Sequence, residues 1–135
     1  MITQIAHICI HAKDLTASEN FYCGILGLEK SFEFTRNDEI FGLYLKAGHN
    51  TFVEIFKSTD PASEGSIKHL CLETDDIDAV AETLKAKGLA VTDKKLGCDK
   101  TWQIWTEDPD GVKIEIHHYT AESMQFKGGR IEVDF

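Results

Sequence analysis

Two stretches of the chain repeat each other, and that repetition limits the fold more than any other feature. Ile5-Ala6-His7-Ile8-Cys9-Ile10 matches Ile67-Lys68-His69-Leu70-Cys71-Leu72 at an offset of 62 residues. The match runs on through Asp14-Leu15 against Asp76-Ile77 and Ala17 against Ala79. Gly27-Leu28 then faces Gly88-Leu89, and Val53-Glu54-Ile55 faces Ile114-Glu115-Ile116, both at 61. A drift of one residue reads as a deletion in a loop. The chain is a tandem duplication of units of about 60 residues, too few to stack as a solenoid, which needs three or more.

Each half spells strand, helix, then three strands. Residues 4–11 alternate, with Ile8 and Ile10 on one face and His7, Cys9 and His11 on the other. Asp14 offers an N-cap, Leu15, Phe21, Tyr22, Ile25 and Leu26 follow at helical spacing, and Gly27 sits where a helix stops. Strands are expected over 30–36, 41–47 and 51–57, separated by Asn37-Asp38 and Gly48-His49-Asn50. The second half repeats the order: a strand at 67–73, a helix over about 76–87 capped by Asp75 or Asp76 and stopped by Gly88, and strands near 91–96, 101–107 and 112–118. Asp108-Pro109-Asp110-Gly111 is a turn, because Pro presets φ and Gly accepts positive φ. The expected class is α+β, one domain over 1–135 made of two βαβββ modules at about 4–57 and 67–118. A polar linker, Ser58–Ser66, joins them, and Arg130–Phe135 in the short tail could add an edge strand.

Composition narrows the partners. With 135 residues and a net charge of −9, the chain is acidic on average, which disfavours nucleic acid and anionic membranes. No apolar run is long enough to span a bilayer, and Met1-Ile2-Thr3-Gln4 lacks a basic signal-peptide start, so a cytoplasmic address is expected. Four cysteines without CxxC spacing read as reduced thiols.

The duplication places a His on the first strand and a Glu on the last strand of each half: His7, Glu54, His69 and Glu115. Two imidazoles and two carboxylates on rigid strands suit one divalent transition metal per site, Zn²⁺, Ni²⁺ or Co²⁺ ahead of Fe²⁺. The plainer reading is a set of hydrogen-bonded structural residues. It fits a lone strand His better than a Glu inside Phe52-Val53-Glu54-Ile55-Phe56, since carboxylates are rarely buried without a partner. Lys57 points away from Glu54, whereas Lys113 shares a face with Glu115 and leaves a salt bridge open there.

Paired βαβββ modules with an early His, an Asp14-Leu15 then Phe21-Tyr22 helix, and Glu107-Asp108-Pro109-Asp110-Gly111 leading to Ile114-Glu115 resemble the vicinal oxygen chelate superfamily, the glyoxalase/bleomycin resistance/dioxygenase group. The resemblance covers about residues 4–119. It implies modules folded into curved, cup-shaped mixed sheets around a metal, a small-molecule substrate chelated through adjacent oxygens, and a homodimer. The four-residue set is most similar to glyoxalase I, a lactoylglutathione lyase. That likeness implies His7, Glu54, His69 and Glu115 as ligands, with Glu115 as catalytic base and Glu54 a ligand that shares the role. Extradiol dioxygenases and fosfomycin-resistance transferases use two His and one Glu, an epimerase of the group carries Gln where this chain has Glu54, and bleomycin-binding members keep no metal. A related epimerase or dioxygenase and a non-catalytic binding or resistance protein are therefore the alternatives. Glutathione-using members place an Arg four residues after the first ligand and an Asn four residues after the second; here those positions are His11 and Ser58.

Cys9 and Cys71 share the faces of His7 and His69; small apolar packing is their expected role, ahead of soft residues near the metal or thiols exposed to oxidation. His117 shares a face with Glu115, where it could support that carboxylate, and His118 points the other way; both are expected to serve surface or packing rather than catalysis, and His49 an exposed turn. Trp102 and Trp105 lie on opposite faces of one strand, one expected in the core and the other as a cavity wall. Phe52 and Phe56 are the expected apolar wall beside Glu54.

Overall fold

The computed structural model describes residues 5, 7–60, 67 and 69–128. The chain divides into two compact units, one running to Ile67 and including Asp108–Gly111, the other made of Lys68–Glu107 with Val112 onward.

In the first unit β1 (His7–Ala12) leads into α1 (Leu15–Glu19), and then come β2 (Glu29–Arg36), β3 (Glu39–Gly48) and β4 (Thr51–Lys57). The sheet order is β1-β4-β3-β2, with β1 parallel to β4 and the other pairs antiparallel. Asp14 caps α1 by accepting from the backbone N–H groups of Thr16 and Ala17. Asn37 and Asp38 both hold positive φ, 52° and 63°, the conformation that a tight two-residue hairpin requires. Ala12, Phe21, Tyr22, Leu43, Leu45, Val53 and Ile55 are buried, so Gly42, Tyr44, Glu54 and Phe56 look to the opposite face of the sheet.

The second unit repeats the plan: β5 (Leu70–Glu73), α2 (Ile77–Ala86), β6 (Lys95–Leu96), β7 (Trp102–Glu107) and β8 (Lys113–His118), in the order β5-β8-β7-β6 with β5 parallel to β8. Of the two candidate caps, Asp76 accepts from Ala79 N–H. Gly27 and Gly88 end their helices at φ 78° and 80°, as their sequence positions imply. Two mixed sheets with few helices make this an α+β fold.

Four details depart from the sequence reading. The helix after Asp14 continues as a π-helical turn over Asn20–Ile25, with Leu26 N–H donating to the Phe21 carbonyl at 2.9 Å. An i→i+5 turn holds one residue more than an α turn. The drift of the repeat from 62 to 61 therefore falls inside a helix rather than in a deleted loop. The strand expected over 91–96 shrinks to Lys95–Leu96, because the Thr92 hydroxyl, not a strand carbonyl, takes the Trp105 N–H at 2.9 Å. A short helix, α3 (Met124–Lys127), follows Ser123, whose buried hydroxyl accepts from Thr120 N–H and Thr101 Oγ1. Neither Trp102 nor Trp105 is core; both are half-buried. The proposed edge strand over Arg130–Phe135 lies outside the described residues. Among the described residues no helix is long and apolar enough to cross a membrane.

Candidate functional site

The parallel pairing of first and last strand brings each repeated His and Glu together. In the first unit Cys9 pairs in register with Glu54, which seats His7 one step along the same face; His7 Nε2 lies 3.7 Å from Glu54 Oε2. In the second unit Cys71 pairs with Glu115, and His69 Nε2 lies 3.2 Å from Glu115 Oε2. Both carboxylates are well shielded, with 16% and 10% of the side chain exposed, while their imidazoles stay about 40% exposed. Shielded carboxylates beside accessible imidazoles form an acceptor-rich face open to a ligand or cation.

The flanking residues also correspond. Tyr44 on β3 pairs with Glu54 and sends its hydroxyl to 3.4 Å from His7 Nδ1. Trp105 on β7 pairs with Glu115 and packs edge-on against His69, ring centroids 4.9 Å apart. Phe52 and Phe56 do form part of an aromatic surface. Tyr44 stacks between Phe32 and Phe52 at 4.6 and 4.8 Å, and Phe34 lies 4.8 Å from Phe56.

Two expectations need correction. His117 is neither surface nor mere packing: it is half-buried, and its Nε2 lies 3.0 Å from Glu115 Oε1. The oxygens of Glu115 are thus met by His117 and His69 rather than by Lys113. Cys9 and Cys71 are exposed residues, not packed ones, although all four cysteines are free as expected. Although each residue keeps exposed surface, its sulfur is partly desolvated: that partial burial, with the Glu54 hydrogen bond and charge, pushes Cys9 up to about 11. Burial, then the Glu115 charge and hydrogen bond, push Cys71 up to about 12. Both are protonated at neutral pH. The sequence signal for His117 was available: two residues past Glu115 on a strand is the same face. What lowered its weight beside Glu115 was the absence of a counterpart in the repeat, where Phe56 stands.

Cys71, Glu115 and His117 present sulfur, oxygen and nitrogen atoms all within 4.8 Å of one another. Imidazole and carboxylate donors in both units, with thiols adjacent, fit a divalent transition metal better than Mg²⁺ or Ca²⁺, which take oxygen alone. The sequence pattern of the glyoxalase/bleomycin resistance protein/dioxygenase superfamily matches residues 4–116. The chain belongs to this superfamily. A "probable lactoylglutathione lyase" of Synechocystis sp. is 33% identical over 125 residues, covering 83% of this chain and 92% of its own. The glyoxalase family protein from Enterococcus faecalis superposes with TM-score 0.69 at 28% identity, over 84% of this chain and 96% of that one. The fosfomycin resistance protein FosX from Listeria monocytogenes shares the fold, with TM-score 0.72 at 21% identity over 90% and 98% of the two chains. The superfamily typically uses a divalent metal and small-molecule substrates, consistent with the donors found here.

Proposed function

We propose that the two modules form a single metal-dependent domain, a lyase or isomerase that moves a proton α to a carbonyl on a small thiol–aldehyde adduct or α-hydroxycarbonyl. The observation that carries this reading is the repeated pair, His7–Glu54 and His69–Glu115, held in the same strand register in both units. In this reading the four residues hold one Zn²⁺, Ni²⁺ or Co²⁺ and the protein works as a cytoplasmic homodimer.

A divalent ion held by these residues would supply Lewis acidity that makes a C–H beside a carbonyl acidic enough to ionise near neutral pH. The proton work falls to the chain. Glu115 takes the proton from the α-carbon as general base and returns it to the adjacent carbon, so the substrate is rearranged with no net gain or loss of protons. Glu54 shares that role, and its shielding, like that of Glu115, keeps water from competing for the carboxylate. Tyr44, Phe52 and Phe56 supply an apolar wall against which a small organic substrate is desolvated.

The cosubstrate need not be glutathione. An imidazole at His11 does not reproduce a forked, permanently charged guanidinium, and the Ser58 hydroxyl already accepts from Asp60 N–H at 3.3 Å. Losing one charge-assisted contact costs roughly 1.5–3 kcal/mol, about 10- to 150-fold in affinity. Metal-reconstituted protein should therefore turn over methylglyoxal adducts of other thiols, with the glutathione adduct showing a KM raised by about that factor, partly restored by His11→Arg. An ordinary micromolar KM for the glutathione adduct would overturn the cosubstrate assignment. Failure to isomerise any adduct or acyl-CoA epimer, with metal bound, would overturn the enzymatic one.

A further inference from the structure

Two residues beyond the repeated glutamate the units part company: Phe56 follows Glu54, whereas His117 follows Glu115. In the second unit that exchange completes a donor set that overlaps the His69–Glu115 pair only at Glu115. Cys71 and Glu115 are register partners on β5 and β8, and His117 stands on the Glu115 face one step along. Their sulfur, oxygen and nitrogen atoms lie within 4.8 Å of one another. The geometry points to a second site for a thiophilic divalent cation, built within the second unit from Cys71, Glu115 and His117 and sharing Glu115 with the His69–Glu115 pair.

Ligand atoms of a tetrahedral zinc site stand roughly 3.3–3.8 Å apart, given bonds of about 2.0–2.3 Å, so this set closes on an ion with side-chain adjustment alone. One thiol, one imidazole and one carboxylate select Zn²⁺ or Co²⁺ over Mg²⁺, Ca²⁺ or Mn²⁺, and three protein donors leave a fourth position for water. Coordination displaces the Cys71 proton to solvent, leaving a metal-bound thiolate. The first unit cannot copy the site, because the ring of Phe56 occupies the place of the imidazole. The plain alternative is a His117–Glu115 hydrogen bond beside an idle thiol. Only the proposed site joins sulfur to a metal.

Cobalt(II) titration of the full chain separates the two. Wild type should develop the near-ultraviolet sulfur-to-cobalt charge-transfer band. Cys71→Ser and Cys71→Ala, both at an exposed position, should abolish it, and His117→Phe should weaken the band-forming affinity by roughly tenfold or more. His7→Ala and Glu54→Gln should leave the band in place. No band in wild type, a band that survives loss of Cys71, or one that vanishes with His7→Ala would overturn the proposal. Cobalt uptake measured on the same samples keeps the two readings apart. Cobalt bound without the band defeats this site alone, and unchanged total affinity in Glu54→Gln defeats the four-residue centre alone.

Discussion

The two units share a backbone plan and a His–Glu pair, yet they surround that pair with opposite chemistry. Beside Glu54 stand Tyr44, Phe52 and Phe56, and Gly42 gives the Phe56 ring its space. The equivalent positions beside Glu115 are Trp105, Lys113, His117 and Gln103, and Gln103 accepts a hydrogen bond from Trp105 Nε1 at 3.0 Å. Duplication has kept the strand register, which fixes where the pair points, and let the residues along the same face diverge. One unit offers an apolar wall, the other a polar nest around its carboxylate. Glu115 meets two imidazoles at 3.0 and 3.2 Å, Glu54 only one at 3.7 Å.

The largest expected effect tests that inequality directly. Removal of either anionic donor should weaken binding of the divalent ion. Glu115→Gln should cost roughly 100-fold and Glu54→Gln about tenfold, because the first also disengages His69 and His117 while the second disengages His7 alone. Isothermal titration with Zn²⁺ on both variants reads the ratio. Equal losses would mean that the polar surroundings of Glu115 add nothing to its role as a donor.

The pair was legible in the sequence for the same reason that the fold was. The repeat places His7 with His69 and Glu54 with Glu115, and alternation along a strand assigns their faces. Gly27, Gly88 and the Asn37-Asp38 hairpin announce themselves by local conformational need, which a sequence states openly. What escaped was whatever one unit does alone. His117 has no partner in the repeat, so symmetry gave it no weight. The π-helical turn is invisible to a helical period because Phe21 and Tyr22, the large apolar residues of that segment, stay buried ahead of the extra residue. The shortening of β6 follows from one hydroxyl, Thr92, replacing a backbone acceptor, a choice that strand propensity does not encode.

A smaller effect tests the apolar wall. A methyl group on Gly42 would come within 2.5 Å of the Phe56 ring and 2.8 Å of the Ile55 carbonyl oxygen. Backbone cannot step aside as a ring can, so Gly42→Ala should destabilise the protein by about 2 kcal/mol and lower Tm by roughly 5–8 °C. Gln103→Ala, the counterpart in the second unit, removes only the bond to Trp105 and should cost about 1 kcal/mol. Thermal denaturation of the two variants compares the units. Similar losses would show that the first wall tolerates crowding and that its glycine is incidental.

The smallest effect separates the cores. Tyr22 and Leu84 occupy matching positions, since Leu28 N–H donates to the Tyr22 carbonyl and Leu89 N–H to that of Leu84. Only Tyr22 carries a proton to lose. Its hydroxyl is buried and donates to Asp108 Oδ2 at 2.9 Å. Burial first, then the charge of Asp108 and the hydrogen bond to it, hold the phenol well above the usual 10.0. The folded chain therefore keeps this proton at pH values where the unfolded chain gives it up. A raised native value stabilises fully below pH 10 and is lost as the pH climbs beyond it, because the unfolded state then binds fewer protons than the native one. Tyr22→Phe should be less stable than wild type at neutral pH by the lost hydrogen bond, and that gap should close by about 1 kcal/mol between pH 9 and pH 10.5. Urea titrations of both proteins at the two pH values measure it. Parallel curves would mean that Asp108 does not hold the phenol proton. Hydrogen exchange at pH 10.5 should then place the alkaline loss in the first unit, where Tyr22 lies, and leave the amides around Leu84 as protected as before.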